Sequence, residues 1–114
     1  MDKITTYKNI VKELILYINS IAPSDEKVET QLIIDDQRCH YLLFSVGWEN
    51  NNYREYTPFV HIDIKPTGKV WIQHDGTDLQ IAILLFEKGI PKSDIVLGYR
   101  SPYRRPEIAE FALE

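Results

Sequence analysis

The segment Lys65–Pro66–Thr67–Gly68 constrains this chain more tightly than any other, because it sets a strand register and not merely a strand. Proline presets the first central position of a type I turn, and glycine supplies the left-handed position of the bulge that commonly follows. Apolar residues alternate on both sides, in VHIDI (Val60–Ile64) and VWI (Val70–Ile72). The predicted hairpin sets Ile64 opposite Val70 and Ile62 opposite Ile72, forming one aliphatic face. Its other face carries His61, Asp63, Trp71 and Gln73. A sheet is therefore required, and something must cover its aliphatic side.

The cover is predicted at residues 3–22, where Ile4, Tyr7, Val11, Leu14, Ile18 and Ile21 recur at helical spacing. Pro23 ends that helix, since a residue before proline is pushed out of the helical region. Val28, Thr30, Leu32 and Ile34 alternate as a strand, and Asp35–Arg38 reads as a turn. Cys39–Trp48 (CHYLLFSVGW) is apolar on both faces in its middle, as a central strand should be. After the polar loop Glu49–Asn52, a strand runs over about 53–65, with Pro58 marking an edge position or a bulge. Ile95–Leu97 is a candidate short strand, followed by an irregular tail. The expected fold is α+β: an antiparallel sheet of about four strands, with an N-terminal helix and a second helix packed mainly on one face.

The stretch WIQHDGTD (Trp71–Asp78) carries the densest chemistry. One reading is structural. His74 ends a strand, Asp75–Gly76 turns the chain, and Thr77 with Gln80 forms a capping box for a helix whose apolar body starts at Leu79. Gly89 and Pro91 end that helix. The alternative joins His61 and Asp63, which point the same way along a strand, to His74 or Asp75 as a mixed nitrogen–oxygen metal site or an acid–base pair. The simple hairpin register opposes it, setting His74 on the other face beside Val60, so that the cluster needs a bulge. The capping account is preferred, and no metal or cofactor is expected.

Composition narrows the classes further. The 114 residues fit one domain, and 44% apolar against 26% charged residues suits a soluble globule. No apolar run is long enough to cross a membrane, and the N-terminus lacks the pattern of a secretory signal. A single cysteine, Cys39, suits a reducing cytoplasm, and His40 beside it faces the opposite way, so no Cys–His pair forms. No Walker-type loop, GxGxxG, GxSxG or HExxH is present, which points away from an enzyme. Net charge of −4 disfavours generic nucleic-acid binding. The tail YRSPYRRPE (Tyr99–Glu107) nevertheless mixes Arg100, Arg104 and Arg105 with Tyr99 and Tyr103, residue types suited to a protein interface or to stacking and phosphate contact.

Several segments together carry a resemblance: SVGW (Ser45–Trp48), VHIDIK (Val60–Lys65), VWIQHDGTD (Val70–Asp78), GIPKSDIVLG (Gly89–Gly98) and EFALE (Glu110–Glu114). In this order and separation they resemble the XisI family, controlling factors for excision of the fdxN element known chiefly from filamentous cyanobacteria. The similarity runs nearly end to end, and IQHDGT and PKSDIVLG are its most specific pieces. It implies an accessory role: XisI-like proteins act with a XisH-type partner, which resembles a nuclease fold, in support of a separate site-specific recombinase that cuts the DNA. It supplies no catalytic residue. This chain departs from the family at Tyr99–Arg100, where a Phe-His pair is common, and at Arg104–Arg105–Pro106, a variant of a looser basic stretch.

The leading expectation is thus a non-enzymatic accessory protein that contacts a XisH-type protein. Direct nucleic-acid binding through Arg100, Arg104 and Arg105 is the second. A small metal- or phosphate-dependent enzyme on His61, Asp63, His74 and Asp75 is the third. Self-association is expected, if at all, through the strand near Pro58 or the Trp71 face.

Overall fold

The computed structural model describes residues 2–108 and 110–114. Helix α1 spans Lys3–Ile21 and opens on Asp2, whose carboxylate accepts the Thr5 N–H at 2.7 Å. The predicted stripe largely holds, with Tyr7, Val11, Leu14, Ile15 and Ile18 buried, while Ile21 and Tyr17 face outward. Each fully buried aliphatic side chain contributes about 1.5–3 kcal/mol.

Strands β1 (Val28–Asp35), β2 (His40–Asn50), β3 (Tyr53–Ile64), β4 (Val70–Asp75) and β5 (Ile95–Leu97) form one sheet in sequence order. The first three pairings are antiparallel, whereas β5 adds to β4 in parallel. The sheet therefore has five strands where about four were expected. A parallel neighbour needs a crossover connection, and helix α2 (Ile81–Glu87) with its flanking turns supplies it. Both helices pack on one face, over a core of Tyr41, Leu43, Val60, Ile62, Ile72 and Leu85 among others.

The turn at Lys65–Gly68 behaves as its residues dictate. Gly68 adopts φ +87° and donates to the Lys65 carbonyl at 2.8 Å, while Ile64 pairs with Val70 and Ile62 with Ile72. Pro58 satisfies both of its predicted meanings. Leu43 pairs with Val60 and Phe44 with Pro58, so Phe59 is an extra, bulged residue. The pairing with β4 begins only at Val60, leaving the Tyr53–Pro58 stretch with β2 as its one partner. Among the described residues no helix is long and apolar enough to cross a membrane.

Candidate functional site

On the sheet face away from the helices, Asp63 is the one charged residue buried among those described, at 6% exposure. Its Oδ1 lies 2.7 Å from His40 Nδ1 and 2.9 Å from His61 Nε2, and its Oδ2 accepts from Gln73 Nε2 at 3.1 Å. The register builds this cluster: His40 stands directly opposite Asp63, and His61 is two residues before it on the same strand. Burial works to raise the Asp63 carboxyl pKa. The His40 hydrogen bond, the His61 charge and the Gln73 and His61 hydrogen bonds outweigh it and hold the group below the ordinary carboxylate value.

The face predicted to hold His61, Asp63, Trp71 and Gln73 therefore exists, with a different third partner. A bulge does form in β4: Gln73 is its extra residue, and His74 comes to stand opposite His61. Yet His74 is exposed and stays outside the cluster, and Asp75 turns elsewhere. His40 takes the place proposed for them. Its signal was present in the alternation of β2, since Tyr41 and Leu43 must share the core face with Ile62 and Val60. His40 is thereby sent to the face of His61 and Asp63. The bulge at Phe59 hides that parity from a simple hairpin count.

The WIQHDGTD stretch is a strand-to-helix connection, but the capping assignment needs correction. Helix α2 begins at Ile81, not near Thr77, and Gln80 precedes it in a left-handed conformation with no side-chain cap bond. Asp75 does the holding. Its Oδ1 accepts from the Thr77 N–H at 2.9 Å and the Thr77 hydroxyl at 2.6 Å, and its Oδ2 accepts the Ile81 N–H at 2.9 Å. As an acceptor the Thr77 hydroxyl takes the Leu79 N–H, at 3.1 Å, and no N–H of the helix itself. Reach explains the swap: an aspartate already turned by Gly76 spans from strand end to helix start, whereas Thr77 lies too far ahead of Ile81 to occupy its cap. A Cβ on Gly76 would stand 2.7 Å from the Phe59 carbonyl, so the motif's glycine is a close-approach requirement.

The tail arginines do not converge on one surface. The Arg105 guanidinium lies 5.0 Å over the Trp71 ring and donates to the Arg100 and Leu113 carbonyls, each at 3.1 Å. It clips the C-terminal segment to the sheet, and an isolated bridge between Val96 and Ala112 continues that contact. Arg104 is exposed and 3.8 Å from Glu107. Arg100 is exposed beside Tyr99, in a groove it shares with Asp75 and Asp78. Tyr103 is the freest member, at 86% exposure. Each guanidinium thus already has a carbonyl, carboxylate or aromatic neighbour.

A further apolar feature lies on the sheet face away from the helices, where the sequence gives no direct sign of exposure. Leu42, Phe44 and Trp48 alternate on β2 away from the helices, with Ile33 opposite Leu42 on β1 and Arg54 opposite Trp48 on β3. Phe44 and Tyr56 rings approach to 5.0 Å, and the Arg54 guanidinium sits 5.4 Å from both the Trp48 and Tyr56 rings. Trp48 and Tyr56 remain 51% and 65% exposed. An antiparallel sheet commonly turns a polar face to water, and this one turns an aromatic strip. The sequence signal is CHYLLFSVGW itself, apolar on both faces, a pattern that a strand covered on both sides would also show.

The XisI protein family matches residues 1–113. Among solved structures, a XisI-like protein from Anabaena variabilis ATCC 29413 is 40% identical, with a TM-score of 0.87 over 96% of this chain and 98% of its own. The fdxN element excision controlling factor XisI from the same organism is 35% identical, with a TM-score of 0.88 over 99% of this chain and 100% of its own. No match is found among curated proteins.

Proposed function

The chain belongs to the XisI family, and from that premise we propose that it is a non-enzymatic controlling factor for excision of a DNA element, working through contact with a XisH-type protein. The strand cutting then belongs to a separate recombinase, and DNA is reached through the partner. The relative named as an fdxN element excision controlling factor supports the process, at 35% identity over nearly the whole chain.

The observation that carries the contact mechanism is the apolar strip in which exposed Trp48 and Tyr56 flank half-buried Phe44 and Leu42. Tryptophan, tyrosine and arginine are the residues that most often dominate protein interfaces, and here all three stack on a rigid hairpin. The tail supports direct DNA binding less well, because Arg105 is held by two carbonyls, Arg104 lies near Glu107, and the protein is acidic. The test is the affinity of the XisH-type protein from the same genome for wild type, Trp48→Ala, Tyr56→Ala and Arg104→Ala. Trp48→Ala or Tyr56→Ala should weaken binding about 30-fold, the effect of an interface anchor worth ~2 kcal/mol. Arg104→Ala should leave it nearly unchanged. Weakening by Arg104→Ala alone would move the contact to the tail. A gel shift with duplex DNA at moderate salt that vanishes in tail variants would favour direct nucleic-acid binding instead.

A further inference from the structure

We propose that His40, His61 and Asp63 form a binding site for one divalent transition-metal ion of the zinc class. The donor set is two imidazoles and a carboxylate, with no thiolate within reach, and their ligand atoms all lie within 4.8 Å of one another. Zinc holds nitrogen and oxygen ligands tetrahedrally at about 2.0–2.2 Å, which sets neighbouring donors roughly 3.3–3.6 Å apart. The two nitrogen–oxygen separations, 2.7 and 2.9 Å, are those of hydrogen bonds to one oxygen, so an ion takes the place of these bonds and opens each by roughly half an ångström. Small rotations of the two rings bring the remaining pair together around an ion.

Three further features distinguish this cluster from a merely satisfied carboxylate. All three ligands sit on paired central strands, so the backbone holds them in place before an ion arrives. Gln73 donates to the Asp63 oxygen that faces away from the histidines, the kind of supporting hydrogen bond that orients a metal-bound carboxylate. The site is also open on one side. Asp63 is buried beneath the histidines, while the His40 side chain is 45% exposed on a face no helix covers. A three-ligand site of this form leaves a coordination position for water or for an outside donor. Each imidazole binds through the nitrogen now facing Asp63, and its proton moves to the other ring nitrogen.

The test uses the full chain without a polyhistidine tag, stripped with chelator and titrated with ZnCl2 by calorimetry and with CoCl2 by absorption and NMR. Wild type should take up one equivalent, and Co2+ should shift or broaden the ring resonances of His40 and His61. His40→Gln and His61→Gln keep a polar group beside Asp63 and remove the strong ligand. Each should lose the stoichiometric binding, with the fold verified by circular dichroism. Gln73→Ala should weaken binding about 10–100-fold. His74→Ala, exposed next to the cluster, should bind as wild type does. The proposal is overturned if wild type takes up no ion, if both glutamine variants bind normally, or if His74→Ala alone removes the binding. Should a glutamine variant fail to fold, the resonances affected in wild type decide between the same outcomes.

Discussion

Replacing Asp75 with alanine separates a structural from a chemical reading of WIQHDGTD. The carboxylate accepts three hydrogen bonds, from the Thr77 N–H, the Thr77 hydroxyl and the N–H of fully buried Ile81. A net hydrogen bond contributes about 1 kcal/mol, and a buried donor left unpaired costs about 1–3 kcal/mol. Asp75 is partly exposed, which lets water replace some of the loss. The expected destabilisation is therefore about 2–3 kcal/mol. At about 2.1 cal/mol/K of unfolding entropy per residue, that corresponds to a fall in Tm of roughly 8–12 °C. Thr77→Ala removes only the hydroxyl contacts and should cost about 0.5–1 kcal/mol. Urea and thermal unfolding followed by circular dichroism measure both. A cost under about 1 kcal/mol for Asp75→Ala, or an equal cost for Thr77→Ala, would refute this role for Asp75 and favour the capping box. A carboxylate kept for chemistry against stability would show a third pattern, with a neutral or stabilising substitution.

Other consequences are as direct. A Cβ at Gly47 would stand 2.0 Å from the Lys27 carbonyl that accepts the Trp48 N–H, so Gly47→Ala should cost about 2–3 kcal/mol or more, read as a lower urea midpoint. Arg105→Ala should cost about 1–2 kcal/mol and make the C-terminal segment sensitive to protease, while exposed Arg104→Ala changes stability by less than about 0.5 kcal/mol. Equal costs for the two would remove the clip. Asp63 is held below the ordinary carboxylate value against its burial by His40, His61 and Gln73, and Asp94 against its burial by Tyr7 and Lys3. Because these folded-state values are depressed, their stabilisation is full above the unfolded value of about pH 4 and is lost as pH falls through the folded values. Unfolding free energy should drop as pH falls below about 4, and Asp63→Asn should flatten that slope.

The hairpin at Lys65–Gly68 was legible because its turn residues and its alternation agree, and two independent local signals leave one register. The first helix was legible for the same reason, as its stripe and the proline after it coincide. What escaped depends on single extra residues. The bulge at Phe59 exchanges the faces of β3 along its length and hides His40 from a count through the loop, whereas the bulge at Gln73 sets His74 opposite His61 without bringing it into the cluster. The second helix was placed too early because Thr77 and Gln80 have capping spacing. An aspartate further back can outcompete a threonine, but only the path of the chain through Gly76 reveals it. The aromatic strip was visible as letters and hidden as exposure. An apolar residue on a central strand is buried only if something covers its face, and here both helices lie on the other side.

The central claim is that this protein works by holding a partner. Co-expression with the XisH-type protein of its own genome, followed by size-exclusion chromatography with light scattering, tests it most directly. A co-eluting complex of defined mass is expected, and Trp48→Ala or Tyr56→Ala should dissociate it. Separate elution of two folded proteins would contradict it.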